Sequence, residues 1–247
     1  MKERGTGSGH GDVAASSAGD ETYNARYYER LAREADRGVA SHRWRMLWLD
    51  RMLDAQPGER IVDLGSGAGS VARHLGLRGA EVHSVDLSEN AVACCRRRCA
   101  DLPNVHFAVA DAGDCRHLES AAFDKVACLD LIEHVDDSVM VRVFREAHRL
   151  LKVDGLLYVY SPNRSHWIER LKRRNLILRQ PAGHTHVRTV RQVRAALEQC
   201  GFSIVRDARP TSMIPLVRWL ERLWICQPLW PELGVYRVCI LARKDRR

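Results

Sequence analysis

The chain has 247 residues, of which 45% are hydrophobic and 28% are charged, and its formal net charge is +8. This composition excludes disordered, collagen-like and integral membrane proteins, and the length suits one α/β domain with a full core. The eight cysteines include no CxxC pair and are too few for a disulfide scaffold, so we expect reduced thiols. Because the chain has neither the ~18 consecutive apolar residues of a membrane span nor an apolar signal core, we expect a cytoplasmic location.

Residues 1–20 have no apolar periodicity and are predicted to be a disordered tail, followed by one domain over residues 21–247. Between Tyr23 and Leu53 apolar residues recur at helical spacing, with a break near Gly38. Two helices are therefore predicted before the first strand, as a cap over residues 21–56.

Five runs rich in β-branched and small apolar residues follow, each succeeded by a loop and a helical stretch. They span Arg60–Leu64, Glu81–Asp86, Val105–Val109, Lys125–Leu129 and Leu156–Tyr160. Strands that alternate with helices indicate right-handed crossovers and a parallel sheet covered on both faces.

The last part of the chain has a different pattern. A helix over Thr189–Cys200 is predicted to end at Gly201, and strands are predicted over Phe202–Arg206 and Val235–Ala242. A further helix is predicted over Ser212–Cys226. Its apolar stripe comprises Met213, Leu216, Leu220, Leu223 and Trp224, with Arg218, Glu221 and Arg222 turned elsewhere.

The first predicted strand runs directly into the glycine-rich turn GSGAG at residues 65–69, and a helix follows from Ser70. Glycines let backbone amides approach a ligand closely, and the helix directs its positive N-terminal dipole at an anion. The glycines fall at relative positions 1, 3 and 5, whereas a dinucleotide-binding turn has them at 1, 3 and 6. The spacing therefore argues against NAD.

Three aspartates, Asp63, Asp86 and Asp111, end three successive predicted strands. Carboxyl ends of parallel strands share one edge of a sheet, where open α/β folds bind their ligands. Asp86 follows the glycine turn by about 20 residues, where a carboxylate accepts hydrogen bonds from ribose hydroxyls. Taken singly, each aspartate also suits the N-cap of the next helix.

The pattern DLGSGAG, the two later aspartates and the segment LLKVDG at 150–155 together resemble class I S-adenosylmethionine-dependent methyltransferases over residues 60–207. Val153 and Asp154 depart from the LLKPGG of that family. The resemblance implies a Rossmann-like, doubly wound, mostly parallel seven-stranded sheet with an antiparallel C-terminal strand, and S-adenosylmethionine as the cofactor. Asp86 is then the ribose acid, and Asp111 receives the adenine amino group. The implied cofactor-binding residues are Asp63, Gly65, Ser66, Gly67, Gly69, Asp86, Leu87, Asp111, Ala112 and Leu129.

The fourth strand continues into LDLIEHV at residues 129–135. This segment is similar to the LEHV segment of ubiquinone-biosynthesis O-methyltransferases and other small-molecule members, with Asp130 where those relatives usually have Glu. Glu133 and His134 are predicted to take a proton from the acceptor or to orient it. The alternatives are a divalent cation held by Asp130, Glu133 and His134, as the quinone-pathway relatives suggest, and capping of the next helix.

Two inserted segments, residues 163–187 and 209–233, are predicted to form the acceptor pocket. The first contains His184 and His186, which we treat as further acid or base candidates, because an H-x-H pair without a third ligand is weak evidence for a metal. Aromatic residues of the leading helices are predicted to cover the cofactor. They are Tyr23, Tyr27, Tyr28 and Trp44.

The function predicted from these residues is methyl transfer to an oxygen or nitrogen of a small lipophilic or acidic metabolite. DNA is not an expected partner. RNA methylation is the alternative that the basic residues suggest, but the chain has no NPPY-type segment and no appended RNA-binding module. A non-catalytic cofactor-binding protein of the same fold is a second alternative.

The excess positive charge lies in the basic segment, residues 164–194, which has nine basic residues and one acidic residue. Such a cluster suits an acidic ligand, a phosphate surface or an anionic membrane. Together with the helix over Ser212–Cys226 and the tryptophans Trp167, Trp219 and Trp224, it leads to the hypothesis of a peripheral contact with the inner face of a membrane. A solvated helix face is the simpler alternative.

Overall fold

The β-branched runs of the sequence form one seven-stranded sheet in a computed structural model that describes residues 23–174, 183–225 and 232–246, the side chains of residues 173 and 223–225 excepted. The strands are β1 (Arg60–Leu64), β2 (Glu81–Asp86), β3 (Val105–Val109), β4 (Phe123–Leu129), β5 (Leu151–Pro162), β6 (Phe202–Asp207) and β7 (Arg237–Lys244). Their order is β3-β2-β1-β4-β5-β7-β6. The pairs among β1 to β5 are parallel, and β7 is antiparallel to β5 and β6.

The described helices are α1 (Ala25–Asp36), α2 (Ala40–Leu53), α3 (Ser70–Leu77), α4 (Glu89–Arg98), α5 (Asp137–Leu150), α6 (Trp167–Arg173), α7 (Val190–Gln199) and α8 (Pro215–Ile225). Side chains at their first turns define several starts. Ser88 caps α4, Asp136 caps α5, and Thr189 forms a capping box with Gln192 at α7.

Two hydrophobic cores lie on opposite faces of the sheet, because successive strand residues point to opposite sides. Ile61 belongs to the core that α2 and α3 cover, and Val62 to the core that α5 and α7 cover. Outside these layers, α1 packs on α4 through Tyr28 and Ala91. The sheet is therefore buried on both faces, as expected for parallel strands.

The strand register sets where the loops meet. Leu64 at the end of β1 pairs with Val85 on one side and with Cys128 on the other. The loops that follow β1, β2 and β4 consequently leave the sheet side by side at its carboxyl edge.

The fold class predicted from the sequence is confirmed, and so are the two helices before β1. The bounds predicted for β1, β2 and β3 are those observed, whereas β5 extends from residue 151 to 162. The predicted tail at 1–20 lies outside the described residues. Within the described ranges no helix is long and apolar enough to cross a membrane. All seven described cysteines are free thiols.

Glu221 is turned away from the apolar stripe of α8, but toward the protein interior and not toward solvent. Its side chain is fully buried, and Oε1 accepts hydrogen bonds at 2.9 Å from both His166 Nε2 and Trp167 Nε1. The other carboxylate oxygen accepts from the Ser212 amide. Because these donors hold one side of α8 inward, the opposite apolar residues face solvent, with Leu216 71% exposed. Cys226, the predicted end of this helix, lies outside the described residues.

Candidate functional site

The glycine turn after β1 has the backbone conformation that the sequence predicts. Gly65 and Gly67 have φ angles of +83° and +51°, which residues with a Cβ rarely adopt. A Cβ on Gly65 would lie 3.1 Å from Leu131 Cδ1, whereas a Cβ on Gly67 would meet nothing within 4 Å. The backbone of Gly67 therefore faces open space, into which a ligand fits closely.

Asp86 binds this turn directly. Its Oδ2 accepts a hydrogen bond of 2.8 Å from the Gly67 amide, and its Oδ1 accepts one of 2.9 Å from the Ser88 amide. Burial raises the pKa of Asp86, and the two amide bonds counteract that shift. Each carboxylate oxygen keeps a lone pair for a ligand, so Asp86 is fixed in a position to accept from a diol.

A cavity of about 900 Å³ opens beside the turn. Of the predicted cofactor residues, those that line it are Gly65, Ser66, Gly67, Asp86, Leu87 and Leu129. Of the aromatic residues predicted to cover the cofactor, Tyr23, which precedes α1, and Tyr27 and Tyr28 of α1 line the cavity. Trp44 does not line it and instead packs edge-on against Trp48.

The other predicted cofactor residues do not line this cavity as described. Asp63 is buried and accepts a hydrogen bond of 2.8 Å from Ser84 Oγ, and burial raises its pKa to about 7. Asp111 Oδ2 lies 3.3 Å from a guanidinium nitrogen of Arg142. Gly69 is the N-cap of α3, and Ala112 packs against the core. The adenine-binding role of Asp111 stays a prediction.

Glu133 lies in a 3-10 turn after β4, Ile132–His134, and is fully buried. Its Oε2 accepts a hydrogen bond of 2.9 Å from Ser161 Oγ, while Oε1 has no partner among the described residues. Burial, and secondarily the charge of Asp130, raises the pKa of Glu133 to about 8. Glu133 is therefore mostly protonated at neutral pH and is a poor proton acceptor there.

His134 is the better proton acceptor. Its Nδ1 lies 3.0 Å from the carbonyl oxygen of Gly183 and 3.2 Å from the Tyr23 hydroxyl. Because a carbonyl only accepts, the Gly183 contact requires the proton on Nδ1, and in that tautomer the lone pair resides on Nε2. Burial lowers the pKa of His134, which keeps the ring neutral at pH 7. Gly183 suits this contact because a Cβ there would overlap the Tyr23 hydroxyl.

His184 and His186 differ in their position relative to the cavity. His184 lines the cavity with its ring 4.9 Å from that of His134, and burial together with the neighbouring His134 lowers its pKa to about 4. His186 is exposed and lies outside the lining, with its Nδ1 2.8 Å from Thr185 Oγ1. The structure thus brings the side chain of His184 to His134, whereas His186 reaches Glu133 only through its backbone amide, which donates to the Glu133 carbonyl at 3.0 Å.

Glu133, His134 and His184 bring ligand atoms within 4.8 Å of one another. A dication does not fit their surroundings well. Asp130, the third member of the predicted cation site, is already paired with Arg45 at 2.8 Å and Arg237 at 3.3 Å. Because these guanidiniums repel a cation and Glu133 holds a proton, we derive no step through a metal.

Arg188 is a structural residue that the sequence analysis misses. It is 5% exposed, and its guanidinium donates to the carbonyls of Ile132, Val135 and His186 and pairs with Asp137. It therefore fixes the loop after β4, which holds His134, to the segment that holds His184 and His186. In the sequence, Arg188 is one of the nine basic residues of the basic segment, and no local pattern marks it as the buried one.

Several cations of the basic segment form ion pairs with acidic residues of the protein. Lys172 pairs with Glu169 at 2.7 Å, Arg191 with Glu232 at 3.4 Å and Arg194 with Glu198 at 3.0 Å. Within the basic segment, the described exposed arginines that form no ion pair are Arg164, Arg170 and Arg174. Arg179 and the side chain of Arg173 lie outside the described part of the chain.

Residues 61–155 match the family described as "Methyltransferase domain". Over 122 residues the chain is 30% identical to the "Ubiquinone biosynthesis O-methyltransferase" of Pseudomonas syringae pv. tomato, an alignment that covers 49% of this chain and 51% of that protein. The chain spans about half the length of the curated relatives it matches.

Two solved structures share the fold. The putative methyltransferase in complex with the Trm112 methyltransferase activator of Haloferax volcanii has a TM-score of 0.65 at 16% identity, covering 89% of this chain and 98% of that one. Phosphoethanolamine N-methyltransferase 2 of Haemonchus contortus, in complex with S-adenosyl-L-methionine, has a TM-score of 0.63 at 20% identity, covering 91% and 58%.

Residues 61–155 match a methyltransferase domain, and both the predicted resemblance to class I S-adenosylmethionine-dependent methyltransferases and the predicted cofactor are confirmed. The cavity fits this cofactor, because the open backbone at Gly67 admits its amino-acid part and Asp86 offers two acceptors to ribose hydroxyls.

Replacing Asp86 with Ala is expected to weaken the binding of S-adenosylhomocysteine about 5- to 150-fold, because buried ribose hydroxyls that lose their acceptor cost about 1–3 kcal/mol. Titration calorimetry measures this, with the exposed Glu119→Ala as control. Unchanged affinity in Asp86→Ala, or tight binding of NADH by the wild type, would contradict this role of Asp86.

Replacing Glu133 with Gln is expected to flatten the pH dependence of stability. A carboxyl whose folded pKa is raised to about 8 from its ordinary 4.5 stabilises the fold fully below the ordinary value and loses that contribution as pH rises through 8. The variant should therefore gain stability relative to wild type between about pH 5 and pH 8. Urea unfolding of wild type, Glu133→Gln and Glu119→Gln across this range measures it, and parallel curves for the first two refute it.

Proposed function

We propose that the chain transfers a methyl group from S-adenosylmethionine to a small-molecule acceptor bound in the cavity. One observation carries the proposal: the cofactor cradle at Gly67 and Asp86 shares a single cavity with His134, a neutral histidine whose Nε2 has the lone pair. The O-methyltransferase named among the relatives supports an oxygen acceptor.

S-adenosylmethionine supplies an already activated methyl group, so the protein has to orient the acceptor and remove its proton. Nε2 of His134 takes the hydroxyl proton. The carbonyl of Gly183 then stabilises the imidazolium through Nδ1, as it holds the neutral ring beforehand. Because Glu133 is protonated at neutral pH, it does not place a second negative charge beside the ionised Asp130.

RNA remains the alternative acceptor and a non-catalytic binding protein the second. The pairing of Lys172, Arg188, Arg191 and Arg194 with neighbouring acceptors weakens the support for RNA, because these cations are already engaged. Incubation with methyl-labelled cofactor and a lysate separated into lipid, polar-metabolite, RNA and protein fractions tests all three. Label in the RNA fraction, or in none, would refute the proposal.

Replacing His134 with Ala is expected to reduce turnover of the labelled acceptor about 10²- to 10⁴-fold while leaving S-adenosylhomocysteine affinity unchanged, because a general base contributes to rate and not to cofactor binding. His186→Ala, at an exposed position outside the cavity, is the matched control and should retain turnover. Full turnover in His134→Ala would show that the proton acceptor is a different group.

We also propose that α8 forms a peripheral contact with anionic membranes. The supporting observation is the exposure of Ile214, Leu216, Trp219 and Leu220 at 52%, 71%, 60% and 46%. Exposed apolar side chains on one amphipathic helix, with Arg222 also exposed, suit insertion into a lipid interface.

Sedimentation with phosphatidylserine-containing vesicles is expected to carry the protein down at low salt and less at high salt, since each engaged basic residue contributes about 1 kcal/mol that salt screens. The variant Leu216→Ser/Trp219→Ser should lose most binding. Leu77→Ser, which alters an equally exposed leucine on α3, should keep it. Absence of vesicle binding at low salt, or an equal loss of binding in both variants, would show that the apolar face of α8 contacts only solvent.

A further inference from the structure

Three charged side chains meet in the cavity beside Glu133. The carboxylate of Asp130 lies 2.8 Å from Arg45 Nε and 3.3 Å from a terminal nitrogen of Arg237. Asp130 is held there by its own backbone, since it has a φ of +50° and its amide donates to the Tyr160 carbonyl at 2.8 Å. One carboxylate therefore faces two guanidiniums.

The charges around this carboxylate do not cancel. The arginines lower the pKa of Asp130, which stays ionised. Burial lowers the pKa of His42, His134 and His184, so these cavity residues are neutral at pH 7, and Glu133 is mostly protonated. Arg45 and Arg237 thus share the single carboxylate of Asp130, whereas the other carboxylates of the lining, Glu34, Asp86 and Glu89, pair with neither arginine.

Arg237 is also held in place and incompletely bonded. Its guanidinium carbon lies 4.9 Å from the ring centre of Tyr236 and 5.4 Å from that of Tyr160, so the two rings fix its plane. Its Nε is buried and has no hydrogen-bond partner within the described ranges. Buried guanidinium donors usually have partners, and Arg237, whose donors are incompletely used, belongs to the lining of the cavity.

Resting on the proposed methyl transfer, we infer that Arg237, with Arg45 beside it, binds an oxyanion of the acceptor, a carboxylate or a phosphate. Such a group supplies the second negative charge that the two arginines lack, and guanidinium geometry matches both oxyanions. The acceptor is therefore an acid whose methylated atom lies next to His134, and its anionic group stays unmethylated at the arginines.

The test uses wild-type protein first. The labelled product from the lysate should be retained on an anion exchanger at pH 7. Loss of retention after phosphatase treatment identifies a phosphate, and loss only at low pH identifies a carboxylate. A neutral or cationic product would overturn this inference and leave methyl transfer standing, whereas no labelled product in any fraction would overturn both.

Variants then connect the anion to the arginines. Arg237→Gln should raise KM for the labelled acceptor roughly tenfold or more, with Arg237→Lys intermediate, because a buried charged partner is lost. The affinities of the variants for S-adenosylhomocysteine and for methylthioadenosine, which lacks the amino-acid carboxylate, should equal those of wild type. These affinities also verify that the variants fold. If Arg237→Gln loses affinity only for S-adenosylhomocysteine, the arginine binds the carboxylate of the cofactor and the inference fails.

Discussion

A single buried guanidinium joins the two parts of the chain that form the reactive side of the cavity. Arg188 donates to backbone carbonyls of the loop after β4 and of its own segment, and it pairs with Asp137 at the start of α5. Loop carbonyls that leave water need donors, and a buried cation needs acceptors. Each requirement satisfies the other here, so one buried side chain helps to set the positions of Glu133 and His134.

Burial then determines the protonation of the groups so positioned. Asp130 and Glu133 are separated by two residues, yet the arginines keep the first ionised while burial keeps the second protonated. The same desolvation leaves His134 neutral. A neutral imidazole beside a neutral carboxyl avoids the cost of a second buried anion. Residue types alone, which offer both Glu133 and His134 as proton acceptors, do not reveal this difference in protonation.

Features that depend on local sequence were predicted well, and those that depend on long-range packing were not. The glycine turn and the ends of β1 to β3 follow from spacing and strand periodicity, which neighbouring residues decide. The inward orientation of Glu221 depends on His166 and Trp167, more than 50 residues away, and helical periodicity assigns a glutamate to solvent. Arg45 and Arg237 come from opposite ends of the chain, and no local pattern marks them as neighbours of Asp130.

The contact between His134 Nδ1 and the Gly183 carbonyl makes the base conditional on the fold of the segment that holds Gly183. If that segment moved away, the ring would be free to exchange tautomers, and Nε2 would carry a proton for part of the time. The tautomer of a cavity histidine is in this way set by a backbone carbonyl 49 residues further along the chain.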